Sequence, residues 1–340
     1  MKLLIVYLGK KVPGYVYENL EYIISTFPSY QTVFLSDRVE NLERARKIGA
    51  EIFLVTNPEL TWSINRSSLS HDPEFRDGFW YRTLARFYSI SEYMKINPEI
   101  PILQIEADVL ILPTIPLEKI SKISKSLAFP LASRSHGVAS TLFVRDYESV
   151  MHFVRFAESV TAANPGSTDT TILAEYLEHF PNRTLVLPSA PKNADVFHQT
   201  SSVLEIELLS RHHEIFEGIF DASTWGQYLT GEHEINSWGI RPYFHIQRHH
   251  PINPDVFSFD FSKGVLTVRH EGTLTSIYSL HIHSKDPKLF RQLENFDYLS
   301  SLIAFQPLGP KTRIIPFVWL AMLPSRLKHT LLGRLSKVVK

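Results

Sequence analysis

The 340-residue chain lacks cysteine altogether. Disulfide bonds, thiolate metal sites and a cysteine nucleophile are therefore excluded. The chain also lacks an excess of either charge, because 35 lysines and arginines stand against 35 aspartates and glutamates. Since a balanced chain has no general attraction for polyanions, we expect no nucleic-acid partner. The sequence contains no uninterrupted apolar run long enough to span a bilayer.

The start of the chain lacks two further features. The apolar residues 1–9 are too few for a secretion signal, so they indicate a first core strand and a cytoplasmic protein. No glycine-rich turn follows this strand, because residues 8–11 read Leu-Gly-Lys-Lys. That absence excludes a dinucleotide-binding dehydrogenase. With 44% hydrophobic and 21% charged residues, the composition is that of an ordinary folded protein.

Strand-like and helix-like segments alternate through the first part of the chain. The pattern predicts strands at Lys2–Leu8, Gln31–Leu35 and Glu51–Val55, with helices at Val16–Phe27 and Asn41–Ile48 between them. This order indicates an α/β fold with a Rossmann-type, mostly parallel sheet and helices on both faces. In such sheets ligands bind beyond the carboxyl ends of the strands.

Further elements follow a polar loop predicted for residues 57–78. The predicted helices are Phe79–Met94, Leu117–Ser126, Arg145–Ser159 and a helix that follows the cap Ser167-Thr168-Asp169 and runs to Phe180. The predicted strands are Leu127–Leu131, Ser140–Val144, Thr184–Leu187, Phe257–Phe261 and Val265–His270. The last two strands are predicted to form a hairpin. Because no clear linker interrupts the pattern, we expect one domain over residues 1–290 and a C-terminal extension over residues 291–340.

Two carboxylates lie one residue apart where an apolar run breaks. Glu106 and Asp108 follow Ile102–Ile105 and precede Val109–Leu112. In an extended chain alternate side chains project the same way, so the two acids are predicted to converge. A pair of this kind can bind Mg²⁺ or Mn²⁺ together with ligand phosphates. The simpler interpretation is a strand that ends in two solvated acids.

Several segments, in this order, resemble the GT-A glycosyltransferases, which use nucleotide sugars. They are residues 1–37 ending in Phe34-Leu35-Ser36-Asp37, the segment from Arg82 through Arg86 to Met94, and the run that carries Glu106-x-Asp108. The resemblance implies a GT-A-like fold and a metal, Mn²⁺ or Mg²⁺, held by Asp108. Glutamate stands where the family most often has aspartate, so the longer Glu106 side chain either lies just outside the ligands of the metal or binds the metal through water.

A second motif of the resemblance lies near residue 280, where the sequence reads Leu280-His281-Ile282-His283-Ser284-Lys285. It is similar to the H-x-H-S-K segment of bacterial members of the family. The resemblance implies that His281 or His283 is the third protein ligand of the metal, and that Lys285 meets the diphosphate of the donor. Alternation along a strand is predicted to put both imidazoles on one side.

Other site residues are assigned with alternatives left open. Asp37, at the carboxyl edge of the second strand, is the candidate for the nucleoside. Arg82 and Arg86 either guide the diphosphate or fix the Glu106-x-Asp108 strand by ion pairing, and the simpler interpretation is a solvated or paired surface position. Asp169 is either a base near the reacting sugar or the N-cap of its helix, and capping is the simpler interpretation.

The segment Phe220–Gly231 also resembles part of bacterial glycosyltransferases. It offers Asp221 as a second candidate base or hydroxyl ligand. Trp225 either stacks on a sugar face or is a core aromatic.

The C-terminal extension is basic. Residues 311–340 contain lysines and arginines but no acidic residue, and leucines recur on one helical face between Leu327 and Leu335. This pattern predicts either an amphipathic helix that lies on anionic lipid, at the inner face of the membrane, or a helix packed on the domain.

Together these features predict a metal-dependent glycosyltransferase. Its donor would be a UDP- or GDP-linked sugar, and its acceptor a glycan or lipid-linked glycan of cell-surface polysaccharide or lipopolysaccharide biosynthesis. The alternatives are a metal-dependent nucleotide-sugar phosphohydrolase and a non-catalytic nucleotide-sugar-binding module.

Overall fold

The computed structural model describes residues 1–9, 11–56, 78–192, 194–230, 251–253, 256–262, 265–283, 285 and 287–291. The predicted polar loop, except Gly78, and the predicted C-terminal basic helix lie outside these residues. Within the part of the chain described, no helix is both long and apolar enough to cross a membrane.

Among the residues described, the first of two sheets has eight strands and confirms the predicted α/β class. Its strands are β1 (Lys2–Tyr7), β2 (Thr32–Ser36), β3 (Glu51–Leu54), β4 (Ile102–Ile105), β6 (Leu127–Ser133), β7 (His136–Gly137), β8 (Thr141–Val144) and β9 (Thr184–Leu187). Their order is β3-β2-β1-β4-β8-β6-β7, with β9 beside β6. The strands β3, β2, β1 and β4 run parallel, β8 is antiparallel to both neighbours, and β6 and β9 are parallel to each other.

Helices flank this sheet on both faces. The helices are α1 (Gly14–Thr26), α2 (Val39–Ile48), α3 (Phe79–Ile96), α4 (Leu117–Ser121), α5 (Tyr147–Ala163), α6 (Asp169–His179), α7 (Val203–Leu209), α8 (His213–Phe216) and α9 (Trp225–Thr230). The crossover connections from β1 to β2 and from β2 to β3 each add a strand toward one edge of the sheet. The connection from β3 to β4 runs back and adds β4 on the other side of β1. Because such crossovers are right-handed, α1 and α2 cover one face and α3 the other.

The predicted elements of the first half are confirmed within a few residues at each end. Strand β1 is buried on both faces, with Leu3, Leu4 and Ile5 fully inaccessible, as expected of a parallel strand covered by two helix layers. The predicted helix Leu117–Ser126 is wrong in length, because α4 ends at Ser121 and residues up to Ser126 lead irregularly into β6.

The second sheet is smaller and has five strands. It consists of β10 (Gly218–Phe220), β11 (Ser258–Ser262), β12 (Val265–His270), β13 (Thr273–His281) and β5 (Val109–Ile111). The predicted hairpin is confirmed by the antiparallel pairing of β11 with β12. Strand β5 pairs antiparallel with β13, and Leu110 lies opposite Leu280. The apolar run 102–112 is therefore divided between the two sheets.

Candidate metal and nucleotide site

The candidate site lies at the carboxyl edge of the parallel strands, where the strand order reverses between β1 and β4. Gly9 follows β1, Asp37 follows β2, and Glu106 follows β4 directly. The Asp37 carboxylate accepts a hydrogen bond of 3.0 Å from the Gly9 backbone N–H. The Arg82 guanidinium lies over Gly9, since a Cβ on Gly9 would come within 2.5 Å of an Arg82 Nη atom. Gly9 also has a positive φ of 122°, which favours glycine.

Glu106 and Asp108 converge through a turn, so the predicted extended geometry is wrong. Residues 106–108 connect β4 in the first sheet to β5 in the second, and the Val109 N–H donates to the Glu106 carbonyl at 2.9 Å. The Glu106 N–H donates in turn to the Ser140 carbonyl at 3.0 Å. A chain that changes sheets must bend at this point, and the bend brings both side chains to the junction of the sheets.

A fully buried asparagine of α1 holds this turn. The Asn19 amide donates to the carbonyls of Ala107 and Val109 at 3.1 and 3.0 Å. Sequence reasoning did not find Asn19, although a signal exists. Asn19 lies on the apolar stripe of α1 that includes Val16 and Ile23, where a polar side chain has to be buried with a partner.

Strand β13 brings a histidine to the two acids. The His281 Nε2 lies 3.4 Å from an Asp108 oxygen, and its Nδ1 lies 3.8 Å from a Glu106 oxygen. The Lys285 Nζ lies 3.4 Å from the other Asp108 oxygen. The ligand atoms of Glu106, Asp108 and His281 are all within 4.8 Å of one another. The structure therefore brings together residues that are more than 170 positions apart in the sequence.

The acidic and basic side chains of this cluster shift the pKa of one another. Burial alone would lower the pKa of His281, but Asp108 and Glu106 raise it to about 9. Burial alone would raise the pKa of Asp108, but His281 and Lys285 hold it well below its usual range. Without a bound cation, the acids are thus neutralised by protein cations.

A divalent cation fits these residues. One Glu106 oxygen and His281 Nδ1 are buried and have no hydrogen-bond partner, which is a costly state that a ligated metal would relieve. Two carboxylates and an imidazole form a donor set suited to a divalent ion of the Mn²⁺ type, and leave room for ligand phosphates.

His283 lies beside this cluster but outside it. Strand β13 ends at His281, and the His283 ring stacks on the His281 ring at 4.3 Å between centroids. The two imidazoles are therefore adjacent, but the predicted strand alternation is wrong, because the strand ends before His283. The His283 Nε2, however, lies 3.2 Å from the Ser223 carbonyl. This geometry favours His281 over His283 as a ligand.

Arg86, on α3, forms ion pairs with both the carboxylate turn and α6. Its guanidinium contacts Glu106, and it contacts Asp169 at 2.7 Å. All three side chains are at least four-fifths buried, and although burial lowers the pKa of Arg86, the two carboxylates raise it. Of the interpretations left open, ion pairing with the carboxylate turn is the one that the structure supports.

Asp169 does not cap its helix. The N-cap of α6 is Thr168, whose hydroxyl accepts the Thr171 N–H, and Asp169 is the first helical residue. Its carboxylate is buried against Arg86, and burial raises its pKa. The capping interpretation is therefore wrong. A carboxylate that is already ion-paired is also a weak candidate for a base.

Asp221 and Trp225 are both fully buried, and their surroundings speak against the predicted contacts with sugar. The Asp221 carboxylate accepts four backbone N–H groups, from Thr224, Trp225, Gly226 and His281, at 2.7–2.9 Å. The Trp225 indole donates to the Ser189 carbonyl at 2.8 Å and packs on Phe257. Local sequence shows residue types that suit sugar binding, but it does not show which way they face.

Comparisons with known proteins identify no close relative. No protein-family model matches the chain, and no curated protein matches it. Among solved structures, a cytidylyltransferase from Leptospira borgpetersenii aligns at 11% identity over 57% of this chain and 78% of that one, with a TM-score of 0.33. The apo-form glycosyltransferase GlyE of Streptococcus pneumoniae aligns at 11% identity over 55% of this chain and 45% of that one, with a TM-score of 0.34. The PaToxG glycosyltransferase aligns at 12% identity over 52% and 69%, with a TM-score of 0.32. Similarity this weak does not identify the reaction, which depends on the site itself.

Proposed function

We propose that the protein is a metal-dependent glycosyltransferase of GT-A type, which moves a sugar from a UDP- or GDP-linked donor to a glycan or lipid-linked acceptor. The observation that carries the proposal is the cluster of Glu106, Asp108, His281 and Lys285 beside the strand-order reversal of a mostly parallel sheet. This is the edge at which α/β sheets of this kind bind nucleotides.

The metal would be held by Asp108, Glu106 and His281, and when bound it would stabilise the charge that develops on the leaving nucleoside diphosphate. Lys285 lies beside Asp108 and would add a point charge for the diphosphate. Arg86 orients Glu106 from the opposite side, because its guanidinium contacts one Glu106 oxygen and leaves the other toward His281. Arg82 and Asp37 flank Gly9 and are the candidates for the phosphate and the nucleoside.

The acceptor side rests on prediction alone. Membrane contact through the basic C-terminal residues, a cytoplasmic location and a place in polysaccharide assembly stay predictions from the sequence. The base of an inverting reaction is not assigned, because Asp169 is paired with Arg86 and Asp221 is saturated by backbone N–H groups.

Isothermal titration of UDP and GDP, with and without Mn²⁺, tests the proposal. We expect metal-dependent binding of one nucleotide, and at least about tenfold weaker binding for Asp108→Asn, which keeps the shape of the side chain and removes its charge. The matched control is Glu214→Gln, because Glu214 is an exposed carboxylate that pairs with the exposed Lys192.

Turnover then separates the alternatives. Release of the nucleotide from a UDP- or GDP-sugar, accelerated by an acceptor, supports transfer. Release that no acceptor accelerates supports the phosphohydrolase. Absence of binding for both nucleotides under every metal condition refutes the donor site.

A further inference from the structure

The buried carboxylate of Asp221 lies where the two sheets meet, between the candidate metal ligands and the start of α9. It is fully inaccessible and bears four hydrogen bonds from backbone N–H groups. One oxygen accepts from Thr224 and Trp225. The other oxygen accepts from Gly226 at 2.7 Å and from His281 at 2.8 Å. A group so enclosed cannot touch a substrate, but it fixes the backbone of a metal ligand.

Ser140 connects Asp221 to the other metal ligands. The Ser140 hydroxyl donates to the Asp221 carbonyl at 2.6 Å, and the Ser140 carbonyl accepts the Glu106 N–H at 3.0 Å. The Ile282 N–H donates to the Asp108 carbonyl at 2.7 Å, which closes the circuit. These hydrogen bonds, joined through the chain itself, thus form a closed ring from the carboxylate turn through Ser140 and Asp221 to His281 and Ile282 and back to the turn.

Gly226 makes this close approach feasible. A Cβ at Gly226 would lie 2.0 Å from the His281 carbonyl oxygen and 2.8 Å from an Asp221 carboxylate oxygen. The atom that it meets first is backbone at the end of β13, which cannot rotate aside as a flexible side chain would. Any larger residue at this position must therefore displace either α9 or the backbone of His281.

We propose that Asp221, supported by Ser140, is a positioning residue that sets the distance between the His281 imidazole and the Glu106–Asp108 turn. The inference deepens the proposed function, because it concerns the same metal site. Its physical basis is that groups outside the ligand shell determine how well ligands are aligned, and their loss commonly weakens metal affinity by about 10- to 100-fold.

Asp221→Asn is the main variant. The carboxylate accepts two N–H groups on each oxygen, whereas an amide has one oxygen and one NH₂ group that donates. In either orientation of the amide, its NH₂ group faces two backbone N–H groups, so three donors meet without an acceptor. The result is loss of the contacts either to Thr224 and Trp225 or to Gly226 and His281. Gly226→Ala displaces the same backbone by steric means, and Ser140→Ala breaks the ring on its other side.

The experiment combines three measurements on the purified full-length protein and its variants. Thermal unfolding establishes that each variant is folded. Titration with Mn²⁺ alone gives the metal affinity. Acylation of His281 by diethyl pyrocarbonate without metal, resolved by tandem mass spectrometry, reports the environment of the imidazole, whose side chain is 13% exposed. The matched control is Gly14→Ala, because a Cβ at Gly14 meets nothing within 4 Å.

We expect Asp221→Asn and Gly226→Ala to bind Mn²⁺ at least about tenfold more weakly and to acylate His281 faster, with Gly14→Ala unchanged. A folded Asp221→Asn variant with wild-type Mn²⁺ affinity overturns the inference, since Asp221 would then be structural only. If Asp221→Asn does not fold, Ser140→Ala decides by the same criteria. If the wild-type protein binds no Mn²⁺ in the absence of nucleotide, the proposed function is decided by the nucleotide titration described above. The acylation rate then decides the inference, since an unchanged rate in Asp221→Asn refutes it and a faster one supports it.

Discussion

Replacement of Arg86 by methionine probes the charge balance on which the site depends. Arg86 is the shared partner of Glu106 and Asp169, and the three side chains are only 8%, 18% and 8% exposed. Removal of one partner from a buried ion pair leaves an uncompensated charge and costs about 3–5 kcal/mol. Burial raises the pKa of Asp169 even with Arg86 present, so Asp169 is expected to take up a proton in the variant. The cost should therefore fall toward the lower end of that range.

Urea unfolding followed by tryptophan fluorescence measures this loss in free energy of unfolding. The matched control is Arg134→Met, because Arg134 and Glu178 are 3.9 Å apart and about 60% exposed. Removal of such a surface pair should cost less than about 0.5 kcal/mol. The double variant Arg86→Met/Asp169→Asn should recover part of that loss, about 1 kcal/mol, because an amide at position 169 removes the free-energy cost of protonating a buried aspartate. A loss of less than about 1 kcal/mol for Arg86→Met alone would refute the reasoning.

Three further substitutions separate the roles of neighbouring residues. Asn19→Leu removes the side-chain donor of the part-buried Ala107 carbonyl and the buried Val109 carbonyl, so the free energy of unfolding in urea should drop by about 1–3 kcal/mol and Mn²⁺ titration should show weaker binding. Trp225→Phe should lower the free energy of unfolding by about 1–3 kcal/mol, because the buried Ser189 carbonyl loses the indole N–H that it accepts. The KM for the donor should stay unchanged. A raised KM would indicate that Trp225 stacks on the sugar after all. Lys285→Ala should weaken nucleotide binding in calorimetry by about tenfold while Mn²⁺ alone binds at least as tightly, because a cation that competes for Asp108 is gone. Weaker Mn²⁺ binding would contradict that competition.

The sheet core could be predicted from the sequence because its evidence is local. Strands β1 to β3 are short apolar runs separated by helices with clear periodicity, and each run has the same interpretation whatever its neighbours are. The run from Ile102 to Leu112 is different. Both halves are fully buried, and both are apolar apart from Gln104, so only pairing with β13, far along the chain, separates β5 from β4. Periodicity carries no information about such a long-range partner.

The candidate site was predicted in its residue types but not in its geometry. Glu106, Asp108 and the histidine pair could be named, because the Glu106-x-Asp108 run and the segment His281–Lys285 occur in the order that resembles GT-A glycosyltransferases; the choice of His281 over His283 needed the structure. The roles of Asp169 and Asp221 could not be predicted, because an acid beside the start of a helix has several possible partners. Thr168 and Asp169 are both good capping residues, and Arg86, over 80 positions earlier, determines that Asp169 pairs instead of capping.

The change of sheet between β4 and β5 explains why the site lies where it does. A chain that leaves one sheet for another exposes unpaired backbone groups at the crossing, and here Asn19, Ser140 and Ile282 satisfy them. The same crossing places Glu106 and Asp108 on one side of the junction and His281 on the other. A cation bound between them would join the two sheets directly. Its affinity would therefore depend on residues that fix the distance between the sheets, and that distance is held by Asp221, which contacts neither substrate nor metal in the proposed site.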